Sequence, residues 1–166
     1  MDNKQITKEL ALKVYREFEK YDKSIMVVIK GHLLVEESLN VIIDNFVHHP
    51  SKLAKSRLSF FQKIHLARSM SVSDQDNSVW KLIEKLNSLR NDVAHKLNSE
   101  NRQDKIDELI RLYEDEIEES DEIETSNQEQ TLKFAVSFCL GFLMAYELEV
   151  KRFRKIVDKL DATFNK

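Results

Sequence analysis

Apolar residues recur along most of this chain every three or four positions and nowhere alternate with period two, so the pattern predicts amphipathic helices and no strands. Leu10, Val14, Phe18 and Tyr21 mark a first helix over about 7–21. Its other face is heavily charged, which predicts a peripheral addition occupying residues 1–22. Val28, His32, Val35, Leu39, Ile42 and Phe46 form one stripe of a second helix over about 24–47, which must stop before Pro50, the only proline. Phe61, Ile64, Ala67 and Arg68 predict a shorter segment over about 58–70, followed by the polar run from Ser71 to Ser78, a source of N-caps. Val79, Leu82, Ile83, Leu86, Leu89, Val93 and Leu97 give a helix over about 79–97. Ile106, Leu109, Ile110 and Tyr113 give another over about 103–118. The self-repelling acids from Glu114 to Glu124 then predict a solvated loop over 114–127. Ser126 with Glu129 matches a capping box and opens the last helix. That helix holds Leu132, Val136, Cys139, Leu143, Tyr146, Val150, Phe153, Val157, Leu160 and Phe164 in a 4-3 alternation, a seam that invites a partner helix.

The expected fold is therefore all-α: a compact up-and-down bundle of about five to six helices with a long C-terminal helix, in one domain over 1–166. Composition agrees. Two glycines leave few tight turns, while 33% charged and 42% hydrophobic residues suit helices with one wet and one dry face. A single cysteine, Cys139, cannot form an internal disulfide and sits on the apolar seam, which points to a reducing compartment and excludes a Cys-rich zinc site. No apolar core follows the polar N-terminus, so no signal peptide is visible. The run Leu132 to Tyr146 is interrupted by Lys133, Ser137 and Gly141 and falls short of the ~20 residues of a membrane span. The expected location is cytoplasmic, with no membrane partner. A net charge of −3 argues against a broad nucleic-acid-coating surface but leaves room for a local basic cleft.

The run Ser88-Leu89-Arg90-Asn91-Asp92-Val93-Ala94-His95 carries the most chemistry. Cleaving RNA without a metal or other cofactor requires taking a proton from the 2′-hydroxyl, stabilising a dianionic phosphorane and protonating the departing 5′-oxygen. Histidine moves protons near neutral pH, and arginine grips a phosphate through two parallel donors. At ~100° per residue, Asn91 and His95 share a face, while Arg90 lies about 140° from His95 on the flank of the apolar stripe. One copy of the run is one proton-transfer group short. Two copies meeting about a two-fold axis would supply it. The plain alternative is that Arg90 and His95 are cations favoured by the dipole at a helix C-terminus.

Arg90-Asn91-x-x-Ala94-His95 resembles the signature of the HEPN superfamily, helical domains that include toxin and antiviral ribonucleases. Gly31-His-Leu-Leu-Val-Glu-Glu-Ser-Leu-Asn40 and Phe61-Gln-Lys-Ile-His-Leu-Ala67 are similar to the first core helix and following short helix of members of the mannitol operon repressor type. The resemblance covers about Ser24 to Leu97. It implies a homodimeric endoribonuclease of a toxin–antitoxin or phage-defence setting, its partners RNA and an antitoxin or regulatory protein. Arg90 would hold the scissile phosphate, Asn91 orient the site and His95 transfer the proton. Some members of that branch are regulators or interaction modules, which is the alternative function.

Four other constellations matter less. His32 and Glu36 have a spacing that can hold a metal, but His32 lies on the apolar stripe and reads better as a hydrogen-bonded core residue. The cations Lys52, Lys55, Arg57, Lys63 and Arg68 could steer a phosphate chain toward the motif, with Lys63 and Arg68 as the substrate-binding candidates, or could be a solvated helix face. The acidic run from Glu114 could mimic nucleic acid or dock a basic partner, or be only a loop. His48 and His49 mark a helix end.

Overall fold

In the computed structural model the described residues are 22–71, 77–96, 100–117 and 127–164, together with Glu9 and Leu12. The rest of the first expected helix, most of the acidic run, Ser126 and Leu97 lie outside them. Among the described residues six α-helices follow one another: α1 (Lys23–Phe46), α2 (Pro50–Leu53), α3 (Phe60–Ser69), α4 (Ser78–His95), α5 (Arg102–Glu114) and α6 (Gln128–Phe164), with a 3-10 turn over Ala54–Ser56. There is no strand among the described residues, so the chain is all-α with a long C-terminal helix.

Short polar side chains start the helices, because the first backbone N–H groups of each have no partner within it. Asp22 accepts from the amides of Ser24 (2.9 Å) and Ile25 (3.3 Å). Ser59 and Gln62 form a reciprocal capping box at α3, and Asn77 caps α4 by accepting from Val79 N. At α6 the side chain of Asn127 accepts from Gln130 N at 3.0 Å. Proline ends one helix and opens another: α1 gives way to extended backbone at Val47, and Pro50 takes the first position of α2. Arg57 then turns the chain with φ 52°, in the left-handed region.

The two longest helices, α1 and α6, form the spine and run parallel. Ser24 Oγ donates to Gln128 Oε1 (3.4 Å) near their N-termini, and Phe46 stacks on Phe153 (centroids 5.9 Å apart) at the far end. Gly31 permits their close approach, since a Cβ there would stand 2.5 Å from Cγ2 of Val136. Helix α4 crosses α1 in the opposite direction and α5 folds back along α4, tied by Lys85–Glu108 and by the cations around Asp92. Val28, Val35, Leu39 and Ile42 of α1, Leu82, Ile83, Leu86 and Leu89 of α4, and Leu132, Cys139 and Leu143 of α6 meet in one core. Burial pushes the Cys139 thiol up to about 12, so it is a small apolar filler. Tyr146 reaches across to donate its hydroxyl to Ala67 O at 2.8 Å.

The apolar seam of α6 has two fates. From Leu132 to Val150 it is buried within its own bundle, whereas Phe153, which meets the end of α1 at Phe46, is exposed, as are Leu160 and, beside the seam, Ile156 on the turns beyond. Most of the seam expected to pair with another chain is therefore consumed intramolecularly. The helix does contain a window long and apolar enough to cross a membrane by length and composition, but its inward side packs on α1.

Candidate functional site

Helix α4 ends at His95, so the motif occupies its last turns. Apolar residues from Val79 to Leu89 bury one side of α4, which fixes the direction in which each motif side chain projects. Arg90 is turned toward α1 and half-buried, Asn91 and His95 face solvent, and Ala94 is exposed between them and α1. Arg90 Nη1 donates to Asn91 Oδ1 at 3.2 Å, so the structure brings these two candidates together. No carboxylate pairs with Arg90 among the described residues. His95 likewise makes no hydrogen bond or ion pair there and stands one turn beyond Asn91 on its face.

The neighbour of Arg90 across the interface is His32, which the fold buries to 3% exposure. Its Nε2 lies 3.1 Å from Oδ1 of Asn87, its ring stacks on Phe60 with centroids 4.0 Å apart, and its Nδ1 is buried without a partner. Burial foremost holds its pKa below the ordinary histidine value. The Asn87 hydrogen bond pulls the other way, and the nearby Arg90 charge adds to the lowering. His32 is thus the hydrogen-bonded core residue its place on the stripe predicts. Glu36, its potential partner in metal binding, is taken by Lys63 Nζ at 2.6 Å.

Because His32 contacts both Asn87 and Phe60, helix α3 begins level with the middle of α4 and runs from there toward the N-terminus of α4, where Arg68 meets Glu84. Helix α3 therefore covers the α1–α4 contact on one side of His32 and starts short of it on the other. On that side Arg90 of α4 is half-buried and Ala94 exposed, and Ile29 and Leu33 of α1 are exposed by 36% and 56%.

Lys63 and Arg68 do not join Arg90. Lys63 is spent on Glu36, and Arg68 bonds Glu84 at 3.3 Å. The unexpected member of the motif is Asp92, whose side chain is 2% exposed. Lys105 (3.1 Å), Lys96 (3.4 Å) and Arg102 (3.7 Å) surround it, and Arg102 Nη2 also donates to Lys96 O at 2.6 Å. The end of α4 is thus clamped to the start of α5, which fixes the backbone that carries His95. The sequence carries a signal for this: a carboxylate near a helix C-terminus opposes the helix dipole and calls for compensating cations.

No family model, curated protein or solved structure matches this chain.

Proposed function

We propose that the end of the α1–α4 contact left uncovered by α3 is a ribonuclease centre of the HEPN type, completed when two copies of the chain meet about a two-fold axis. The observation that carries this reading is the state of the motif itself: Arg90 with no carboxylate partner among the described residues and fixed beside Asn91, and a solvent-facing His95 on a clamped helix end. The clamp answers Asp92 and leaves Arg90 and His95 without a structural partner among the described residues beyond Asn91. Exposed Ile29 and Leu33, near the level of Arg90, supply an apolar flank on which a second copy can seat. Its motif would then add a second histidine and a second arginine to the same site.

In this mechanism one imidazole withdraws the proton of the 2′-hydroxyl, and that oxygen attacks the adjacent phosphorus. Arg90 stabilises the phosphorane through paired donors, and the second imidazole protonates the departing 5′-oxygen. Asn91 holds the guanidinium in place. Activity of this kind, under the control of an antitoxin or trigger, suits a toxin or phage-defence effector.

The alternative of a non-catalytic regulator or interaction protein draws support from one observation. Lys63 and Arg68, which would lead RNA toward the motif, are neutralised by Glu36 and Glu84. The two readings separate on variants assayed with single-stranded RNA. His95→Ala should cut the cleavage rate by about 10²–10⁴-fold, the usual worth of a general acid or base. Arg90→Lys should fail as well, because an ammonium keeps the charge and loses the two-point grip. No cleavage of RNA by the wild-type chain, with His95→Ala as active in vivo as wild type, would transfer the conclusion to the regulator; cleavage that survives His95→Ala undiminished would remove His95 from the mechanism.

A further inference from the structure

From Asn45 to Ser73 the chain contains no acidic residue, while it carries Lys52, Lys55, Arg57, Lys63 and Arg68. The two cations at its far end are paired, but Lys52, Lys55 and Arg57 are exposed and make no ion pair among the described residues. They lie on α2 and the turn that leads directly into α3. The first exposed aromatic that follows them in the chain is Phe61, 57% exposed in a helix whose neighbouring Phe60 is buried. Phe61 is held edge-on to His65 with ring centroids 4.2 Å apart. The pair has no part in the core.

Its position follows from the helix register. Phe61, His65 and Arg68 share one stripe of α3 (i, i+4, i+7), and Arg68 shows where that stripe faces by bonding Glu84 of α4. Since α3 and α4 run in opposite directions, Phe61 is displaced from Arg68 toward Asn91 and His95. It stands where the cover of α3 over the α1–α4 contact ends.

We infer that Phe61, with His65 behind it, is the stacking platform for one unpaired base of a single-stranded RNA, whose backbone is drawn in by Lys52, Lys55 and Arg57. Every base offers a face to an aromatic ring, and only an unpaired base can present it, so the platform selects single strands without selecting sequence. This rests on the ribonuclease reading of the site and names its substrate class. It also moves substrate binding from Lys63 and Arg68 to the unpaired cations and the aromatic pair.

The test is fluorescence anisotropy with the full-length His95→Ala chain, which leaves the RNA intact, and a short fluorescein-labelled oligoadenylate. Phe61→Ala should weaken binding about tenfold, within the range found for losing one stacked base, and Phe61→Trp should restore it. Replacing Lys52, Lys55 and Arg57 together with Ala should flatten the slope of log affinity against log salt by roughly 2, since each phosphate neutralised on a single strand adds ~0.7 to that slope. A blunt RNA duplex should bind weakly and show no dependence on Phe61. Equal affinity of Phe61→Ala and the parent for oligoadenylate overturns the proposal, as does a change in oligomeric mass on Phe61→Ala without any oligoadenylate binding, which would make the pair a protein contact. The two readings fail separately. Phe61-dependent binding by a chain that never cleaves leaves the platform standing without the nuclease, and His95-dependent cleavage with KM untouched by Phe61→Ala does the reverse.

Discussion

His32 is the side chain whose protonation the fold controls most directly, since it is buried against Phe60 with one nitrogen on Asn87 and the other unpartnered. Its lowered pKa means that the unfolded chain accepts a proton which the folded chain resists. The stabilisation is therefore complete above the ordinary value of about 6.5 and is lost as pH falls from there through the folded pKa. We expect the urea midpoint of the wild-type chain to drop between about pH 7 and pH 5.5 more steeply than that of His32→Leu. Parallel curves for the two would show that His32 does not couple folding to protons. The sequence places this residue on the apolar stripe but cannot show Asn87, fifty-five positions away, as its partner. Asp92 is similarly half-legible: its awkward position near a helix C-terminus is visible, and the cations that answer it from α5 are not.

At the scale of elements, the periodicity locates every long helix among the described residues to within a few positions, because each buries one continuous stripe and most are bounded by a cap or a proline. Pairing is less visible, since a stripe says that something covers it and not what. The seam of α6 shows the ambiguity. The same 4-3 alternation runs from Leu132 to Leu160, yet α1 covers it only as far as the Phe46–Phe153 contact. The two glycines separate propensity from packing within this pair. At Gly31 an added Cβ meets stiff, β-branched Val136, whereas at Gly141 nothing lies within 4 Å. Gly31→Ala should therefore destabilise the protein by about 1–3 kcal/mol despite the better helix former. Gly141→Ala should stabilise it by about 0.5–1 kcal/mol. Chemical denaturation of both variants checks the pair, and stabilisation by Gly31→Ala would mean that α1 and α6 are not in close contact there.

At the scale of the molecule, the fold separates two surfaces that the sequence suggests are one. His95 lies toward the ends where α1 and α6 begin, and the exposed Phe153, Ile156 and Leu160 project from the opposite end. At ~1.5 Å per residue the two are on the order of 35 Å apart along the bundle. A symmetric pairing of α6 tips alone does not bring two motifs together, so the composite centre proposed above would form at the other end of the bundle, where Ile29 and Leu33 are exposed. Accordingly, light scattering at micromolar concentration should give a dimer, Leu33→Lys should shift it toward monomer and abolish cleavage, and Leu160→Lys should leave cleavage intact. A chain that cleaves RNA as a monomer would remove the two-fold mechanism while keeping the motif.

The identity of the RNA ends after cleavage tests the central claim most directly, because it reports which oxygen attacked phosphorus. If Arg90, Asn91 and His95 work as proposed, wild-type protein in EDTA should leave a 2′,3′-cyclic phosphate on one fragment and a 5′-hydroxyl on the other, and His95→Ala should leave the RNA whole. Fragments ending in 3′-hydroxyl and 5′-phosphate, which require water as the nucleophile, would contradict the account, as would intact RNA after incubation with wild-type dimer.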